Sequence, residues 1–590
     1  MSEPAAAPPE GPTSLFRRLL RRPFWTLAAA AVIMGSGYGL RVAWWRPLPV
    51  QGQPPNDGFV RVPGIVHVHS SLSDGGGPPA EVAAAAKAAG LGFVVITDHN
   101  NLEARAFQGY HDGVLVLVGS ELSTTVGHIL GLGLDRDPAF RFSGDAEDAL
   151  DDIRLLGGTP YAAHPLSARS DFQFSGWKLP GPWGLELLNG DSQWRSAGWG
   201  RLLQTGALYR LNRSYALLAS LSFPSLAPWD ALLAERDVPG IAGADAHSRV
   251  PIHKHTSVRF PSYESLFRLM RNYVLLRAPL SGKPEIDGPA VLAALARGRA
   301  YVGLDALAAA DGFFFLAEAG DRRWTMGDTV SPTATLTLRA GGALPAQTRL
   351  TLVRDGRAVK RGVGGLEAKA DQAGVYRVEA RVVGSELPWI LSNPIYVFDD
   401  PQAEVRRKRA AWPPPPVAPV AVKLVTDFEG GPPFYPESDP SSEADRDIVD
   451  SKAGVDGRAA ARLRFRLGAP SPAQPHTWCA LVNRQSRDLS AYQGLVFALR
   501  GDGVYRIWVQ VRDRNPASDD QGLEHWFTSV RTSTEWRRAA VPFSKFRSTN
   551  PRSDGKLDLD QVESLVFVLD AGAVKPGTTG TIWVDELGVY

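Results

Sequence analysis

The stretch HVHSSLSDGGG, residues 67–77, places two histidines, an aspartate and three glycines directly after the apolar run GIV. Side chains point the same way every two residues along a strand, so His67 and His69 lie on one side of it. Two imidazoles on one side of a strand suit a metal ion. For this stretch by itself, a polar strand end followed by a turn at Asp74 and Gly75 is the alternative. The rest of the chain decides between them.

The composition excludes some functional classes. A chain of 590 residues exceeds a single hydrophobic core, so its size predicts about three or four domains. Its 64 basic and 62 acidic side chains nearly cancel, so charge suggests no nucleic-acid partner. The single cysteine, Cys479, can supply neither an intramolecular disulfide nor a thiolate zinc cage.

The amino terminus has the pattern of a membrane anchor. Four arginines precede an uncharged run at residues 23–40, and tryptophans flank it. The pattern predicts a cytoplasmic tail at 1–22, a transmembrane helix at 23–45 and export of all later residues. The predicted location is therefore a bacterial-type inner, or cytoplasmic, membrane, crossed once. A cleaved signal peptide and a buried core helix are the alternatives, since the run is only just long enough to span.

Short apolar runs alternate with helical segments from Gly64 to about residue 310. The runs are GIVHVHS, GFVVITDHN, VLVLVGSE, GHILGLG, GTPYAAHP, WGLELLNG and VPGIAGADAH. Buried runs separated by helices, such as 80–89 with Gly90 as its stop signal, predict a mainly parallel sheet with helical crossovers. Seven runs suggest a closed barrel, whose active site lies in the loops after the strands.

Nitrogen and oxygen ligands end these runs. They include six of the eleven histidines and several carboxylates: His67, His69, Asp98, His99, Glu121, His128, His164, Asp245 and His247. Each one alone is also typical of a strand-end turn or a satisfied histidine. Converging together, they would hold two or three divalent ions of the borderline class, namely zinc, manganese or iron.

This order of motifs resembles the PHP family, the polymerase and histidinol phosphatase domains. The elements HVHSSLSDG, ITDHN, GSE, GHILGLG, AAHP and GADAHS fill all nine ligand positions. The resemblance implies a metal-dependent phosphoesterase on a distorted (β/α)7 barrel at residues 60–315. It also implies three ligand groups: His67, His69, Glu121 and Asp245 for one metal; Glu121, His128 and His164 for a second; Asp74, His99 and His247 for a third.

The implied chemistry is phosphate-ester hydrolysis by a metal-activated hydroxide. Clustered divalent ions supply a hydroxide at neutral pH and positive charge beside the phosphoryl oxygens. The motifs G-x-S-x-G and G-x-x-x-x-G-K-[ST] are absent from the sequence, which argues against a serine hydrolase and a P-loop enzyme. The predicted catalytic residues are Glu121, Asp245 and His247.

Substrate contacts are predicted from loops that reach the same barrel mouth. Arg169 follows His164 and Arg249 follows His247, and both guanidinium groups could bind a phosphate. His255 lies in a loop beside the site. Solvated or structural side chains are the alternative for the two arginines, and a second metal-binding pair is the alternative for the HKH stretch at 253–255.

Strand patterns dominate the remainder of the chain. Alternating segments at 320–398 predict a small Ig-like β-sandwich that packs against the barrel. Residues 399–420 contain four successive prolines and predict a stiff, extended linker. The basic run 406–409 within it is predicted to be solvated, with binding to anionic lipid as a minor alternative.

The last domain, 421–590, is predicted to be all-β. In VYRIWVQVRD, Tyr505, Ile507, Val509 and Val511 fall on one face, whereas Arg506, Trp508, Gln510 and Arg512 fall on the other. Trp508 is either a sugar platform or a ring packed under a loop.

The segments TDFEGG, LSAYQGLVFALRGDG, EWRRAAVPFSKF and GTIWVDELGVY resemble galactose-binding-like jelly rolls of the complex-I-intermediate-associated and glucan-binding types. That resemblance implies a possible glycan partner. It also implies a possible structural calcium at Asp427, Glu429 and Asp585.

Two functions remain open from the sequence. The first is a membrane-anchored, extracytoplasmic, metal-dependent phosphoesterase acting on a phosphorylated small molecule, glycan or lipid headgroup. The second is a surface glycan-binding protein that uses the jelly roll and keeps the barrel as a scaffold. The complete ligand set favours the enzyme.

Overall fold

The computed structural model of the protein describes residues 13–169, 172–196, 198–253, 256–414, 417–430, 434–518 and 522–590. Its helices are α1 Thr13–Ala43, α2 Pro79–Ala89, α3 Ala146–Leu155, α4 Gly190–Arg195, α5 Trp199–Tyr209, α6 Arg213–Ser220, α7 Ala227–Glu235, α8 Tyr263–Phe267, α9 Pro284–Ala296 and α10 Asp400–Ala410. The predicted stop of α2 is confirmed, because Gly90 caps it in the left-handed conformation at φ 74°.

The amino-terminal half is built on fourteen strands up to residue 303. They are β1 Val50–Gln51, β2 Val60–Val68, β3 Phe93–Ile96, β4 Gly109–His111, β5 Val114–Val118, β6 Ser120–Thr124, β7 Gly127–Leu132, β8 Thr159–Ala162, β9 Gly184–Asn189, β10 Gly240–Ala246, β11 Val250–His253, β12 Thr256–Val258, β13 Arg271–Leu276 and β14 Ala300–Gly303. All seven apolar runs that the sequence predicted to be strands do form strands.

The pairing of these strands closes on itself. Parallel pairs join β8 to β9, β9 to β10, β10 to β2, β2 to β3 and β3 to β5. A parallel bridge between His99 and Glu121 links the end of β3 to β6. Antiparallel pairs of β7 with β6 and with β8 complete the circuit. The carboxyl ends of β2, β3 and β10 thus meet at one edge.

The sheet departs from the predicted alternation of strands and helices at β6 and β7. These two strands form an antiparallel hairpin, and only residues 125 and 126 separate them. Two residues cannot hold a helical crossover, which needs a dozen or more. Gly127, at φ 113°, supplies the backbone conformation that the tight connection requires.

The strands of the next region join the same body. They are β15 Phe313–Ala319, β16 Arg322–Thr325, β17 Thr329–Val330, β18 Thr337–Gly342, β19 Leu344–Pro345, β20 Arg349–Arg354, β21 Arg357–Val363, β22 Leu366–Lys369, β23 Gly374–Arg381, β24 Ile390–Ser392 and β25 Ile395–Val397. β24 pairs with β14, and one hydrophobic cluster runs from Ile65 to Val397. This region therefore packs against the sheet of the amino-terminal half.

The predicted extended linker is wrong over its first half, where α10 forms. Asp399 caps this helix in a reciprocal capping box with Gln402, and a proline occupies its first turn. The basic run is not wholly solvated either. Arg406 is buried, and its Nε donates to Asp237 Oδ1 at 2.9 Å.

The predicted transmembrane helix is not confirmed. Across the described residues, no helix combines the length and apolar character needed to cross a membrane. The run at 23–40 is rich in alanine and glycine, whose small side chains gain little free energy on leaving water. It lies within α1, which ends with Val42 packed against Leu208 and Ala216.

The carboxyl-terminal region is a β-sandwich. Its strands are β26 Lys423–Thr426, β27 Tyr435–Ser438, β28 Glu443–Ala444, β29 Val449–Asp450, β30 Ala460–Arg466, β31 Trp478–Asn483, β32 Gly494–Gly501, β33 Arg506–Arg514, β34 Leu523–Arg531, β35 Arg537–Pro542, β36 Val562–Asp570 and β37 Thr579–Val589. One sheet has the order β28-β30-β37-β32-β35 and the other β27-β31-β36-β33-β34. A single hydrophobic cluster fills the space between them.

The sandwich is docked on α3 of the amino-terminal body. Just before and along β33, the predicted inward residues Tyr505, Ile507, Val509 and Val511 are buried. Arg506, predicted on the solvated face, is buried as well, because α3 covers it and supplies Asp152 as its partner. A backbone bridge between Phe140 and Val574 lies beside this contact.

Candidate metal centre

The predicted ligands converge at the sheet edge where β2, β3 and β10 end. His67 and Asp245 lie on β2 and β10, and Glu121 and His128 lie on β6 and β7 of the hairpin, where their side chains meet. The other members follow strand ends. The structure brings together all nine predicted ligands: His67, His69, Asp74, His99, Glu121, His128, His164, Asp245 and His247.

The Glu121 carboxylate contacts five of the other predicted ligands. Its Oε2 lies 3.1 Å from Nε2 of His67 and from Nε2 of His69, and 3.3 Å from Nδ1 of His99. Its Oε1 lies 2.8 Å from His128 Nδ1 and 3.1 Å from His164 Nε2. One buried carboxylate therefore faces five imidazoles from four different parts of the sheet.

Two further carboxylates complete the centre. Asp245 Oδ1 lies 3.4 Å from His67 Nε2 and 3.3 Å from His69 Nε2. Asp74 faces the solvent side, where its Oδ2 lies 3.2 Å from His247 Nε2 and 3.8 Å from His99 Nε2. Asp245 is buried whereas the Asp74 side chain is 52% exposed, so the centre is open on the Asp74 side.

Within the described residues, three groups have ligand atoms within 4.8 Å of one another: His67, His69, Glu121 and Asp245; His99, Glu121 and His128; His69, Asp74, His99 and His247. The first group is the one implied by the family resemblance. The second has His99 where the resemblance implied His164, because the His99 ring reaches Glu121 across the β3–β6 bridge. His164 nonetheless contacts Glu121.

The side chains present fit bound divalent cations. Buried ring nitrogens of His67, His69, His99 and His164 have no hydrogen-bond partner among the described residues. Buried polar atoms are seldom left unpaired in folded proteins. The Nε2 atoms of His67 and His69 and the Nδ1 of His99 face the Glu121 carboxylate. Mixed imidazole and carboxylate sets are typical ligands of zinc, manganese and iron.

The pKa values of several carboxylates and imidazoles in this cluster are shifted by burial and by one another. Burial would raise the pKa of Glu121, but His67, His128 and His164 outweigh it and hold that pKa well below its usual range. Burial would lower the pKa of His69, but Asp245 and Glu121 outweigh it and raise the pKa to about 10. Burial lowers the pKa of His99, the imidazole nearer the solvent. Without cations, protons therefore occupy this cluster.

The backbone is also unusual at the centre. His67, His164 and Asp245 have φ values of 62°, 36° and 49°, in the left-handed region that ordinary residues seldom adopt. Such conformations persist where surrounding contacts over-determine them, and they concentrate at functional sites.

The predicted substrate-binding residues differ in their placement. The Arg169 guanidinium stacks 4.1 Å from the Phe172 ring, which lies 4.5 Å from the His164 ring, so Arg169 is next to the centre. Arg249 is exposed, and its carbonyl accepts a hydrogen bond from Arg195. His255 lies outside the described residues.

The sequence analysis missed two buried acids beside the ligands. Glu186 on β9 accepts hydrogen bonds from the ring of His67 and the backbone of His164. Asp191 on α4 is buried and pairs with Arg195 at 2.6 Å. The signal for Glu186 was a lone carboxylate inside the apolar run GLELL, but its partners are distant in the chain.

The predicted calcium ligands have other partners. Asp427 and Asp585 each accept a backbone N–H, from Glu429 and Val455, and Glu429 accepts one from Ala459. In the described part of the chain, these three carboxylates do not form a group with metal-binding spacing. The calcium site stays a prediction.

The outer face of the β31-β36-β33 sheet, which also carries the docked Arg506, has a small cluster of buried apolar side chains. Ala480, Val482, Val566 and Val568 form it, and the partly buried rings of Trp478 and Trp508 pack against it. Trp508 Nε1 donates to Asp570 Oδ1 at 2.8 Å, which fixes the ring on the sheet. A flat, fixed and partly exposed indole suits stacking against a planar or sugar ring.

The comparison with protein families decides what this sandwich resembles. Residues 411–590 match the carbohydrate-binding domain of family 11. The family 11 module of Clostridium thermocellum, solved with a β-1,3-1,4-mixed-linked tetrasaccharide, is 21% identical, covering 29% of this chain and 96% of that module with a TM-score of 0.24. Residues 411–590 are hereafter called the family 11-like domain.

A solved two-domain protein from Bacteroides vulgatus, described as containing a predicted PHP-like metal-dependent phosphoesterase, matches a larger share. It is 16% identical, covering 59% of this chain and 99% of that protein with a TM-score of 0.29.

Two curated proteins match shorter segments. An uncharacterized protein of Methanocaldococcus jannaschii is 37% identical over 93 residues, and a chloroplast protein of Arabidopsis thaliana, High chlorophyll fluorescence phenotype 173, is 33% identical over 88. The chain spans 53% of the first relative's length and 14% of the second's.

Proposed function

We propose that the chain is a PHP-type metal-dependent phosphoric ester hydrolase with a carbohydrate-binding domain at its carboxyl terminus. In this proposal, the closed sheet of β2 to β10 is a distorted (β/α)7 barrel and its ligand-bearing edge is the active site. The observation that carries the proposal is the convergence of five imidazoles on the buried carboxylate of Glu121.

The ligand groups suggest where cations would bind. His67, His69, Glu121 and Asp245 would hold one cation, and Glu121 with His128 and His99 or His164 a second. Asp74, His99 and His247 would hold a third. Divalent cations, when bound, supply positive charge beside phosphoryl oxygens and lower the pKa of water.

The chain's own residues would orient and shield the reaction. Glu121 belongs to two ligand groups, so it sets the spacing between them. The buried side chains of His67 and Asp245 exclude water from the inner side of the centre, which leaves the Asp74 side for substrate. His247 lies on that side with its Nδ1 held 2.9 Å from the Asp245 carbonyl.

Arg169 is the candidate for phosphate recognition. Its guanidinium stacks on Phe172, whose ring contacts His164 of the centre, and a fork of donors can bind two phosphoryl oxygens. The same geometry suits a phosphate monoester or a diester, on a small molecule, glycan or lipid headgroup.

A hydrolysis panel tests this function. The full chain is loaded with zinc, manganese or iron and assayed on aryl phosphate monoesters and diesters, with and without chelator. Glu121→Gln is expected to abolish turnover, whereas Asp287→Asn, an isosteric change at another buried acid of the same body, is expected to leave it intact. Turnover that survives both chelation and Glu121→Gln would refute the proposal.

Carbohydrate binding is the second candidate function, and the family match at residues 411–590 favours it. The partly exposed indoles of Trp478 and Trp508 supply a surface on which a sugar ring can stack. A glycan array probed with the full chain tests this role. If glycans bind while the panel shows no hydrolysis, the chain is a glycan-binding protein with the barrel as its scaffold.

Export across a cytoplasmic membrane is also a proposal. It rests on the arginines that precede the uncharged run 23–40 and on the match of residues 411–590 to a carbohydrate-binding domain. A periplasmic reporter fused after residue 60 is expected to be active. Activity of only a cytoplasmic reporter at that position would refute export.

A further inference from the structure

Glu186 links three parts of the metal centre through one buried carboxylate. Its Oε1 lies 2.8 Å from His67 Nδ1, while its Oε2 accepts the backbone N–H of His164 at 2.5 Å and the side-chain amide of Asn189 at 2.9 Å. The Glu186 side chain is fully buried. None of the three ligand groups includes it.

The Glu186 carboxylate occupies space that a side chain at position 243 would otherwise fill. Gly243 lies on β10, the strand next to β9, and a Cβ at that position would stand 1.4 Å from Glu186 Oε1. Any residue other than glycine at 243 would therefore displace the carboxylate. The position of the Glu186 carboxylate therefore depends on β9, which carries it, and on β10, where Gly243 leaves space for it.

The hydrogen bonds of Glu186 fix the state of two ligands. A carboxylate only accepts, so the His67 proton is held on Nδ1 and Nε2 is left towards Glu121 and Asp245. The bond to the His164 backbone holds that residue at its left-handed φ of 36°. Ligand histidines commonly donate their second nitrogen to such a carboxylate, which orients the ring and strengthens the ligand.

From this geometry we infer that Glu186 is a positioning residue, which sets the His67 tautomer and the His164 backbone so that both can bind a divalent cation. This inference rests on the proposed function, because it assigns a role towards the same metal centre. Glu186 acts through His67 and His164 and does not touch the substrate.

The isosteric change Glu186→Gln separates orientation from packing. The amide oxygen must stay beside the two donors of His164 and Asn189, so the amide NH₂ falls opposite His67 Nδ1. His67 must then carry its proton on Nε2, the nitrogen that faces Glu121 and Asp245. A proton on that nitrogen prevents it from binding a cation.

The test measures zinc affinity of the full chain by competition with a chromophoric chelator, and the visible absorption of the cobalt-loaded chain. Glu186→Gln is expected to weaken zinc binding about 10- to 100-fold and to alter the cobalt spectrum. The matched control is Asp287→Asn, because Asp287 is a buried acid that accepts bonds from Tyr110, Ser281 and Gly282. The control is expected to leave zinc affinity and spectrum at the parent values.

Failure of the inference about Glu186 and failure of the proposed function give different results in these measurements. Parent-like zinc affinity and cobalt spectrum in Glu186→Gln would overturn the inference while leaving the proposed function intact. A parent chain that binds no zinc, manganese or iron would overturn the proposed function itself. If Glu186→Gln does not fold, Glu186→Asp replaces it: the shorter side chain cannot reach His67 and His164 together, so weaker zinc binding supports the inference and parent affinity overturns it.

Discussion

Arg506 of the family 11-like domain and Asp152 of α3 form a fully buried ion pair. Arg506 Nη2 lies 2.6 Å from both carboxylate oxygens of Asp152, and the two side chains are 1% and 0% exposed. Neighbouring contacts join α3 to β34 of the same domain, including Ser529 Oγ to Asp148 at 2.6 Å and the ion pair of Arg531 with Asp151. This pair holds the sandwich against the body that carries the metal centre.

Removing one member of this pair should strongly destabilise the docked arrangement. Arg506→Leu leaves the Asp152 charge buried without its main partner, which costs about 3–5 kcal/mol, whereas the double change Asp152→Leu with Arg506→Leu should cost less than that. Urea unfolding of the full chain measures both. Arg484→Leu is the control, since Arg484 is exposed and pairs with Glu437 on the same sheet. A cost for Arg506→Leu no larger than the control's would contradict the contact.

Metal removal should make the stability of the chain depend on pH. The pKa of His69 is raised from 6.5 to about 10 by Asp245 and Glu121 against the opposing effect of burial. The folded state therefore binds this proton more tightly than the unfolded state, and the stabilisation is complete below pH 6.5 and lost as pH rises to about 10.

The melting temperature of the chelator-treated chain should accordingly fall across that interval. A cation replaces the proton in the loaded chain, so its melting temperature should fall less. The comparison is a pair of melting series, with His69→Gln as the variant that removes the titrating ring. Parallel curves for the loaded and chelator-treated chains would contradict the prediction.

Gly243→Ala should damage the metal centre without removing any ligand. The added Cβ would collide with Glu186 Oε1 and approach the His67 Cβ at 2.9 Å. Overpacking of this kind costs about 1–3 kcal/mol, and here it also displaces the acceptor of His67. Zinc affinity and thermal melting should both decrease.

The control for that change is Gly206→Ala. Gly206 lies in α5, and a Cβ added there would meet no atom of the described residues within 4 Å, so alanine should be neutral or stabilising. Zinc affinity of Gly243→Ala equal to that of Gly206→Ala would show that Glu186 does not need its present position.

Trp508→Ala should weaken glycan binding by the family 11-like domain. The indole lies on the outer face of β33, fixed by Asp570, and loss of its stacking surface should cost about tenfold in affinity. Titration with the glycan that gives the strongest array signal measures the effect. Trp583→Ala, on β37 of the other sheet, is the matched control, and equal losses in both variants would refute a binding surface at Trp508.

The residues that the sequence predicted as ligands lie together in the structure because most of them lie at or beside the ends of strands. His67, Glu121 and Asp245 could be assigned from local runs, since strand ends of one sheet edge are brought together by the fold itself. Partners contributed by distant segments left no local signal. Arg506 shows this, since its position on β33 predicts solvent, and Asp152, 354 residues away, buries it.

The other differences between the sequence predictions and the structure concern the segment 399–420 and Glu186. At 399–420 the proline run predicted an extended segment, but the capping box of Asp399 and Gln402 starts α10 before those prolines. Glu186 was missed because its significance depends on the His67 ring and on the absence of a side chain at Gly243. Only the folded sheet places the three together.

The metal content of the purified full chain tests the central claim most directly. Mass spectrometry of the parent chain, after loading and removal of excess metal, is predicted to give two or three equivalents of zinc, manganese or iron. Glu121→Gln should lose most of it, because Glu121 contacts five of the ligand histidines, whereas Asp287→Asn should keep the parent value. A parent chain without bound metal, or a Glu121→Gln variant with the parent's content, would contradict the account.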